Sequence, residues 1–133
     1  MHKLNPAIDL DAFWQALRVS PRACLLLDYD GTLAPFRVRR DRALPYKGVA
    51  EVLGRLVAGR STRVVGVSGR SAREVAGLLG LARPPEIWGS HGAERLSPGG
   101  VYRPPRLGEA QRRSLATAEA WARDRGWGAR LEP

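Results

Sequence analysis

The sequence predicts an α/β domain in which a parallel sheet carries helices on both faces. Three short apolar runs are typical of buried strands: ACLLLD at 23–28, TRVVGV at 62–67 and EIWG at 86–89. Helical patterns separate the runs, at 47–58 and at 71–79. The order strand, helix, strand, helix, strand is that of parallel α/β sheets.

Each helix follows from its own local signals. An amphipathic pattern covers 6–18, where Pro6 suits a first turn. Apolar side chains in 47–58 recur on one helical face, and Gly59 is a suitable stop. Ser71 and Glu74 form an S-x-x-E capping box that opens the next helix. The sequence therefore predicts three helices before residue 80.

The remaining segments connect or extend this unit. Glycine and prolines at 31–45 indicate a loop with room for a small hairpin, and 93–103 resembles a hairpin that turns at PGG. A helix is expected over 108–125 and a further strand over 128–132. We divide the chain into an N-terminal helical extension (1–22), a core (23–105) and the start of another domain (106–133).

The composition limits the function classes. The 133 residues suit one modest domain, and no apolar run approaches the roughly 20 residues that span a bilayer. Asp9 and Asp11 interrupt any signal-peptide core, so a cytoplasmic location is the default. The single cysteine, Cys24, excludes an internal disulfide and is expected to be buried.

A net charge of +9 raises the question of nucleic-acid binding. The longest basic cluster, RVRR at 37–40, has no interleaved aromatic residues that could stack on bases. Solvated arginines are therefore favoured over a nucleic-acid surface. The charge would still attract phosphorylated, anionic substrates.

All three predicted strands end in polar, glycine-containing segments, which a parallel sheet would bring to one edge. These segments contain Asp28, Asp30, Gly31 and Thr32; Ser68, Gly69 and Arg70; and Ser90, His91, Gly92 and Glu94. Their convergence is much more specific than any single segment.

The set suits phosphate chemistry. Asp28 can attack phosphorus and form an acyl phosphate, and Asp30 can protonate the leaving oxygen and then activate water. Gly31 lets backbone N–H groups approach a ligand, and the Thr32 hydroxyl can hold the loop or the phosphate. Ser68 can donate to a phosphate oxygen near the start of the 71–79 helix.

The phosphate and the two carboxylates of this arrangement are negatively charged and need cationic partners. Arg70 could add a fork-shaped cationic contact. Because carboxylates and phosphate repel one another, a divalent cation is expected, and Mg²⁺ suits oxygen ligands. An EF-hand loop that begins at Asp28 is excluded, since it requires glycine at position 33 and glutamate at position 39, where this sequence has Leu33 and Arg39. A solvated turn at 28–31 and a merely packed His91 stay open as alternatives.

These motifs resemble a known family. DYDGTL at 28–33 is similar to the first motif, D-x-D-G-T, of the haloacid dehalogenase superfamily, and VVGVSGR at 64–70 resembles its second. GSHGAE at 89–94 and the DGTLAP and SGRS forms are similar to trehalose-6-phosphate phosphatases. The resemblance covers about residues 20–133.

The resemblance implies a role for each matching residue. Asp28 would be the nucleophile and a magnesium ligand. Asp30 would be the general acid and base and would bind magnesium through its backbone carbonyl. Ser68 would bind the transferring phosphoryl group, and Arg70, His91 and Glu94 would face a phosphorylated disaccharide.

The family also uses a lysine and a later acidic motif, both beyond the third strand and the cap domain that follows it. Lys3 and Lys47 do not match that lysine. We therefore expect an incomplete core with the first pieces of a cap, marginal stability, and poor hydrolysis by these 133 residues alone. Other sugar phosphatases, acting on sucrose phosphate or a glucosylglycerate-type phosphate, and a non-catalytic phosphosugar- or partner-binding module stay open.

Overall fold

The computed structural model describes residues 9–59 and 61–128, and within them a five-stranded sheet. The strands are β1 (Ala23–Asp28), β2 (Thr62–Val67), β3 (Glu86–Gly89), β4 (Glu94–Leu96) and β5 (Tyr102–Arg103). They lie in the order β1-β2-β3-β4-β5, with the first three parallel and the last two antiparallel. The α/β class, the three strand positions and the hairpin are confirmed.

Among the described residues, four α-helices accompany the sheet: α1 (Leu10–Val19), α2 (Val49–Gly59), α3 (Ala72–Leu79) and α4 (Glu109–Asp124). Asp9 caps α1, because its carboxylate accepts bonds from the N–H groups of Asp11 and Ala12 at 3.0 Å. Pro6 lies outside the described residues, as does the predicted strand at 128–132 except for Gly128. No helix within the described ranges is long and apolar enough to cross a membrane.

Helix α3 begins and ends where its sequence signals predict. The Ser71 hydroxyl accepts a bond from the N–H of Glu74 at 3.2 Å, which is the N-cap half of the predicted capping box. The Glu74 carboxylate is instead bonded to Arg70 and Arg40. Gly80 ends the helix in the left-handed conformation, with φ +62°, which is the usual role of a glycine after a helix. This cap fixes α3 immediately after the Ser68–Arg70 segment.

The hydrophobic core lies between one face of the sheet and the helices α2 and α3. The strands contribute Val64, Ile87 and Leu96, which share this face through their register. The helices and the loop after β1 add the other buried members: Tyr29, Ala34, Leu53, Ala72, Val75 and Leu79. The core therefore anchors the turn after β1 as well as α3.

Strand β1 does not match the prediction of burial on both faces. Leu25 and Leu27 are half-buried toward α2, whereas Leu26 is 67% exposed. Cys24 is also exposed, so its predicted burial is wrong. The physical reason is that alternate residues of β1, Leu25 and Leu27, pack on the α2 side, whereas the face with Cys24 and Leu26 is open.

The segment 31–45 forms a tight turn and a short 3₁₀ helix, Arg40–Arg42, in place of the small hairpin considered from the sequence. The turn begins at Gly31, whose N–H donates to the carbonyl of Ala34 at 2.7 Å. It closes directly against the end of β1, so the loop contributes to the edge where the predicted site lies.

A charged cluster joins β2, β3 and β4 on the sheet face opposite the core. Glu86 is only 3% exposed and accepts bonds from Nε and Nη2 of Arg63, at 3.1 and 2.7 Å, and from Nε1 of Trp88 at 2.9 Å. Arg95 forms a further ion pair with Glu86, with Nε 2.7 Å from Oε1. Burial raises the pKa of Glu86, but the bonds from Arg63 and Trp88 and the two guanidinium charges outweigh it, so the pKa is lowered.

Candidate active site

The three polar segments meet at one edge of the sheet. Asp28 pairs with Val67 across β1 and β2, and Ser68 follows directly. The Ser68 N–H donates to the carbonyl of Trp88 at 3.0 Å, and the His91 N–H donates to the carbonyl of Ser68 at 3.1 Å. The convergence predicted from the sequence is therefore present in the backbone.

Asp28 presents its carboxylate to solvent at the end of β1. The side chain is exposed, and its Oδ1 accepts a bond from the N–H of Tyr29 at 2.8 Å. This bond orients the carboxylate without burying it. An exposed, oriented carboxylate at the carboxyl end of a parallel strand is accessible to a ligand.

A buried tyrosine separates the two acids of the motif. Tyr29 is 1% exposed, and its hydroxyl donates to the carbonyl of Ala43 at 2.6 Å. Burial raises the pKa of this hydroxyl. Because Tyr29 points into the core, its neighbours Asp28 and Asp30 are held at the surface of the same loop.

The turn after Asp30 depends on Gly31. Its φ is +82°, and a Cβ there would lie 2.5 Å from the ring of Phe36. The Tyr29 carbonyl accepts bonds from the N–H groups of Leu33 and Ala34, at 2.9 and 3.0 Å. Glycine is thus favoured by the backbone conformation, whereas the Phe36 ring is exposed and could move away from a Cβ. Thr32 is exposed beside this turn, and its N–H also donates to that carbonyl, at 3.3 Å.

Arg70 grips Asp30. Its Nε lies 2.7 Å from Oδ2 of Asp30 and its Nη2 lies 2.9 Å from Oδ1, which is a bidentate pair. Its Nη1 donates to the carboxylate of Glu74 and, at 3.0 Å, to the carbonyl of Arg40. The arginine is 5% exposed, and hydrogen bonding to Asp30 raises its pKa. The fork that the sequence directed toward phosphate is therefore occupied by Asp30.

Glu74 and Arg40 complete a chain of alternating charges that sequence reasoning missed. Nη2 of Arg40 lies 3.3 Å from Oε2 of Glu74, so the chain runs Asp30, Arg70, Glu74, Arg40. The i, i+4 spacing of Arg70 and Glu74 was a signal for their contact. The separations of Arg70 from Asp30 and Arg40, 40 and 30 residues, carried none.

Ser68 is buried at the base of this arrangement. It is 4% exposed, and its Oγ accepts a bond from the N–H of Arg70 at 3.1 Å. The hydroxyl proton remains to be donated elsewhere. Ser68 thus lies at the same strand edge as Asp28, below a backbone segment that it helps to order.

Gly69 and His91 line a small cavity beside Asp30. The His91 ring packs on Gly69 so closely that a Cβ at Gly69 would lie 2.8 Å from Cε1. His91 itself is exposed and has φ +55°. The cavity measures about 330 Å³ and is lined by Asp30, Phe36, Arg37, Arg40, Gly69, Arg70 and His91. Arg37, which the sequence placed in a solvated cluster, is therefore near the candidate site.

Glu94 has a different environment from the one its motif indicated. It is 5% exposed and accepts bonds from the N–H of Ala72, at the start of α3, and from the hydroxyl of Tyr102. The Arg73 guanidinium lies 4.0 Å from the centroid of the Tyr102 ring. Buried in these contacts, Glu94 joins α3 to the hairpin and does not line the cavity beside Asp30.

The carboxylates supply oxygen donors of the kind that Mg²⁺ prefers. Within residues 9–59 and 61–128, no three or more His, Cys, Asp or Glu side chains cluster as a metal site. The exposed carboxylate of Asp28 suits a cation, whereas that of Asp30 is engaged by Arg70. The residues therefore fit part of a magnesium shell.

Solved structures share the fold of this sheet. A haloacid dehalogenase-like hydrolase from B. subtilis has a TM-score of 0.57 at 18% identity, over 77% of this chain and 34% of that one. The fold is thus that of the haloacid dehalogenase-like α/β domains. The C-terminal domain of trehalose-6-phosphate phosphatase from C. albicans has a TM-score of 0.70 at 18% identity, over 94% of this chain and 44% of that one. The trehalose-6-phosphate phosphatase from Aspergillus fumigatus has a TM-score of 0.58 at 26% identity, over 79% of this chain and 36% of that one.

Sequence comparison identifies the family. The model of the trehalose-phosphatase family matches residues 26–112, and the chain belongs to that family. A trehalose-phosphate phosphatase from Mycobacterium ulcerans is 36% identical over 107 residues, which are 79% of this chain and 26% of that protein. A bifunctional trehalose-6-phosphate synthase/phosphatase from Thermoproteus tenax is 40% identical over 82 residues, which are 62% and 11%. The chain spans about a quarter of the first relative and a tenth of the second.

Proposed function

We propose that this chain carries the nucleophile and the general acid and base of a phosphatase that converts trehalose 6-phosphate into trehalose and inorganic phosphate. Membership of the trehalose-phosphatase family and the match to a named trehalose-phosphate phosphatase support the substrate. The observation that carries the chemistry is the exposed carboxylate of Asp28, two residues before an Asp30 held by Arg70.

The reaction needs two displacements at phosphorus. An oxygen of Asp28 attacks, the bond from phosphorus to the sugar oxygen breaks, and Asp30 gives that oxygen its proton. Water then attacks the acyl phosphate and passes a proton to Asp30, which regenerates Asp28 and releases phosphate. The Ser68 hydroxyl binds a phosphoryl oxygen. Gly31 and Gly69, which carry no side chain, let the backbone lie close to the phosphate.

Magnesium is the proposed cofactor. Asp28 would hold it through its carboxylate and Asp30 through its backbone carbonyl, since the Asp30 carboxylate is engaged by Arg70. When bound, it would neutralise the charge of the carboxylate and the phosphate. The other ligands would come from outside the described residues.

We further propose that residues 23–105 form part of the phosphatase core, that α4 in 106–133 begins a cap, and that the protein acts in the cytoplasm. Thr32 and His91 are proposed substrate contacts, because both are exposed at the strand edge. For Arg70 and Glu94, burial supports indirect roles over direct contact with the sugar.

The full-length gene product that contains this chain tests the proposal. With Mg²⁺, it should release phosphate from trehalose 6-phosphate faster than from sucrose phosphate or glucosylglycerate phosphate. Asp28→Asn should reduce kcat at least about a thousandfold, because the amide is a poor nucleophile. A preference for another sugar phosphate would contradict the proposed substrate. Full activity of Asp28→Asn would contradict the proposed role of Asp28 as nucleophile.

A further inference from the structure

We infer that Arg70 is a positioning residue that orients the Asp30 carboxylate for proton transfer, and that Glu74 holds Arg70 in place for this task. The inference rests on the proposed function, because it concerns the same site. It assigns the guanidinium to Asp30 in place of the substrate phosphate.

The geometry of the pair supports orientation of the carboxylate. Both carboxylate oxygens of Asp30 accept a bond from Arg70, at 2.7 and 2.9 Å, so rotation of the carboxylate is fixed. The Asp30 side chain is still 27% exposed, whereas that of Arg70 is 6% exposed. Arg70 therefore holds the acid from the protein side and leaves part of it open to the cavity.

Arg70 is itself constrained from several sides. The carboxylate of Glu74 and the carbonyl of Arg40 both accept bonds from its Nη1, and its guanidinium carbon lies 5.7 Å from the centre of the Tyr29 ring. The bidentate edge of the guanidinium is thus directed at a carboxylate of the protein and is not open to a phosphate. A fork set by two loops and a helix turn is suited to fix another side chain.

The fork bears on both proton transfers of the proposed reaction. Asp30 gives a proton to the sugar oxygen and later takes one from water, and both transfers need its carboxylate in a fixed orientation. To donate a proton to the sugar oxygen, Asp30 must carry it on one oxygen, and one of the two bonds must lengthen. Arg70 thus keeps the carboxylate in a single orientation for both halves of the reaction.

Leaving-group dependence separates this role from a purely structural one. A sugar oxygen needs a proton as it leaves, whereas p-nitrophenolate leaves without one. In the full-length gene product, Arg70→Ala should lower kcat/KM for the sugar phosphate about a hundredfold and for p-nitrophenyl phosphate less than about fivefold. Asp30→Asn should show the same selectivity.

Combined variants test whether Arg70 acts through Asp30. In the Asp30→Asn background, Arg70→Ala should cost nothing more, since there is no acid left to orient. Arg70→Lys should keep most of the selective loss, because an ammonium cannot bind both oxygens as a planar fork. Arg113→Ala, which removes an exposed ion pair with Glu109 on α4, is the matched control and should leave kcat/KM for both substrates unchanged.

Equal losses for both substrates, additive losses in the double variant, or full recovery by lysine would each overturn the inference. If Arg70→Ala does not fold, Glu74→Gln keeps the test available, and it should show a smaller loss, about threefold to tenfold, confined to the sugar phosphate. If the wild type hydrolyses neither substrate, or if Asp28→Asn remains active, the result contradicts the proposed function and not the positioning role of Arg70 in particular.

Discussion

Arg70 and Asp30, 40 positions apart in the sequence, are joined by two hydrogen bonds of 2.7 and 2.9 Å that connect the loop after β1 to the start of α3. The pair joins the sequence motifs at 28–33 and 64–70 in one side-chain contact. It also explains why a buried arginine is present at the edge of a sheet that would otherwise be open to solvent.

The turn after Asp30 should be sensitive to a single methyl group. Gly31→Ala adds a Cβ to a residue at φ +82°, 2.5 Å from the Phe36 ring. This change should lower the free energy of unfolding by about 1–2 kcal/mol, because the left-handed backbone is strained by a Cβ, whereas the Phe36 ring is 79% exposed and can move away.

Gly48→Ala is the matched comparison, a second left-handed glycine with no ring nearby. Its φ is +86°, and no atom lies within 4 Å of the new Cβ. Only the strain of the left-handed backbone remains, so the loss should be about 1–2 kcal/mol. Urea unfolding measures both variants. We expect similar losses, and an unchanged free energy of unfolding in either variant would contradict the backbone strain.

Glu94 should contribute more to the stability of the fold than to substrate binding. Glu94→Ala leaves the buried N–H of Ala72 without its acceptor and should destabilise the fold by about 2–4 kcal/mol. Glu119→Ala removes an exposed ion pair on α4, and such pairs contribute little, so its cost should be about 0–0.5 kcal/mol. Thermal or urea unfolding compares them. An unchanged stability with a raised KM for the sugar phosphate would restore Glu94 to the substrate-binding role predicted from its motif.

The Glu86 cluster predicts a pH dependence. Because the pKa of Glu86 is lowered from its ordinary value of 4.5, its stabilisation is present above that value and is lost as the pH falls through the folded pKa. Glu86→Gln should therefore lower the free energy of unfolding by about 1–3 kcal/mol at about pH 7 and by progressively less below about pH 4. Urea unfolding across this range tests the prediction, with Glu109→Gln as an exposed control. A difference that does not change with pH would contradict the role of the ionised carboxylate.

The sequence was sufficient for the features that depend on short-range pattern. The N-cap at Ser71, the glycine after Leu79 and the PGG turn each specify local backbone, and the structure has them at those positions. The convergence of the strand ends was also predictable, because parallel strands present their carboxyl ends at one edge.

Features set by packing between distant segments could not be predicted. An apolar run does not reveal how many layers cover a strand, so Cys24 was expected to be buried and is exposed. Likewise, a charged residue in a motif does not reveal its partner. Arg70 was directed to phosphate and binds Asp30, and Glu94 was directed to the sugar and binds Ala72 and Tyr102.

The central claim, that Asp28 is the nucleophile, is tested most directly by locating the phosphoryl group. The full-length gene product should be mixed with trehalose 6-phosphate and Mg²⁺, quenched in acid within one turnover, and digested for peptide mass mapping. We predict one phosphoryl group on the peptide that contains Asp28, and none in Asp28→Asn. A phosphoryl group on any other residue, or turnover by Asp28→Asn at the wild-type rate, would contradict the account.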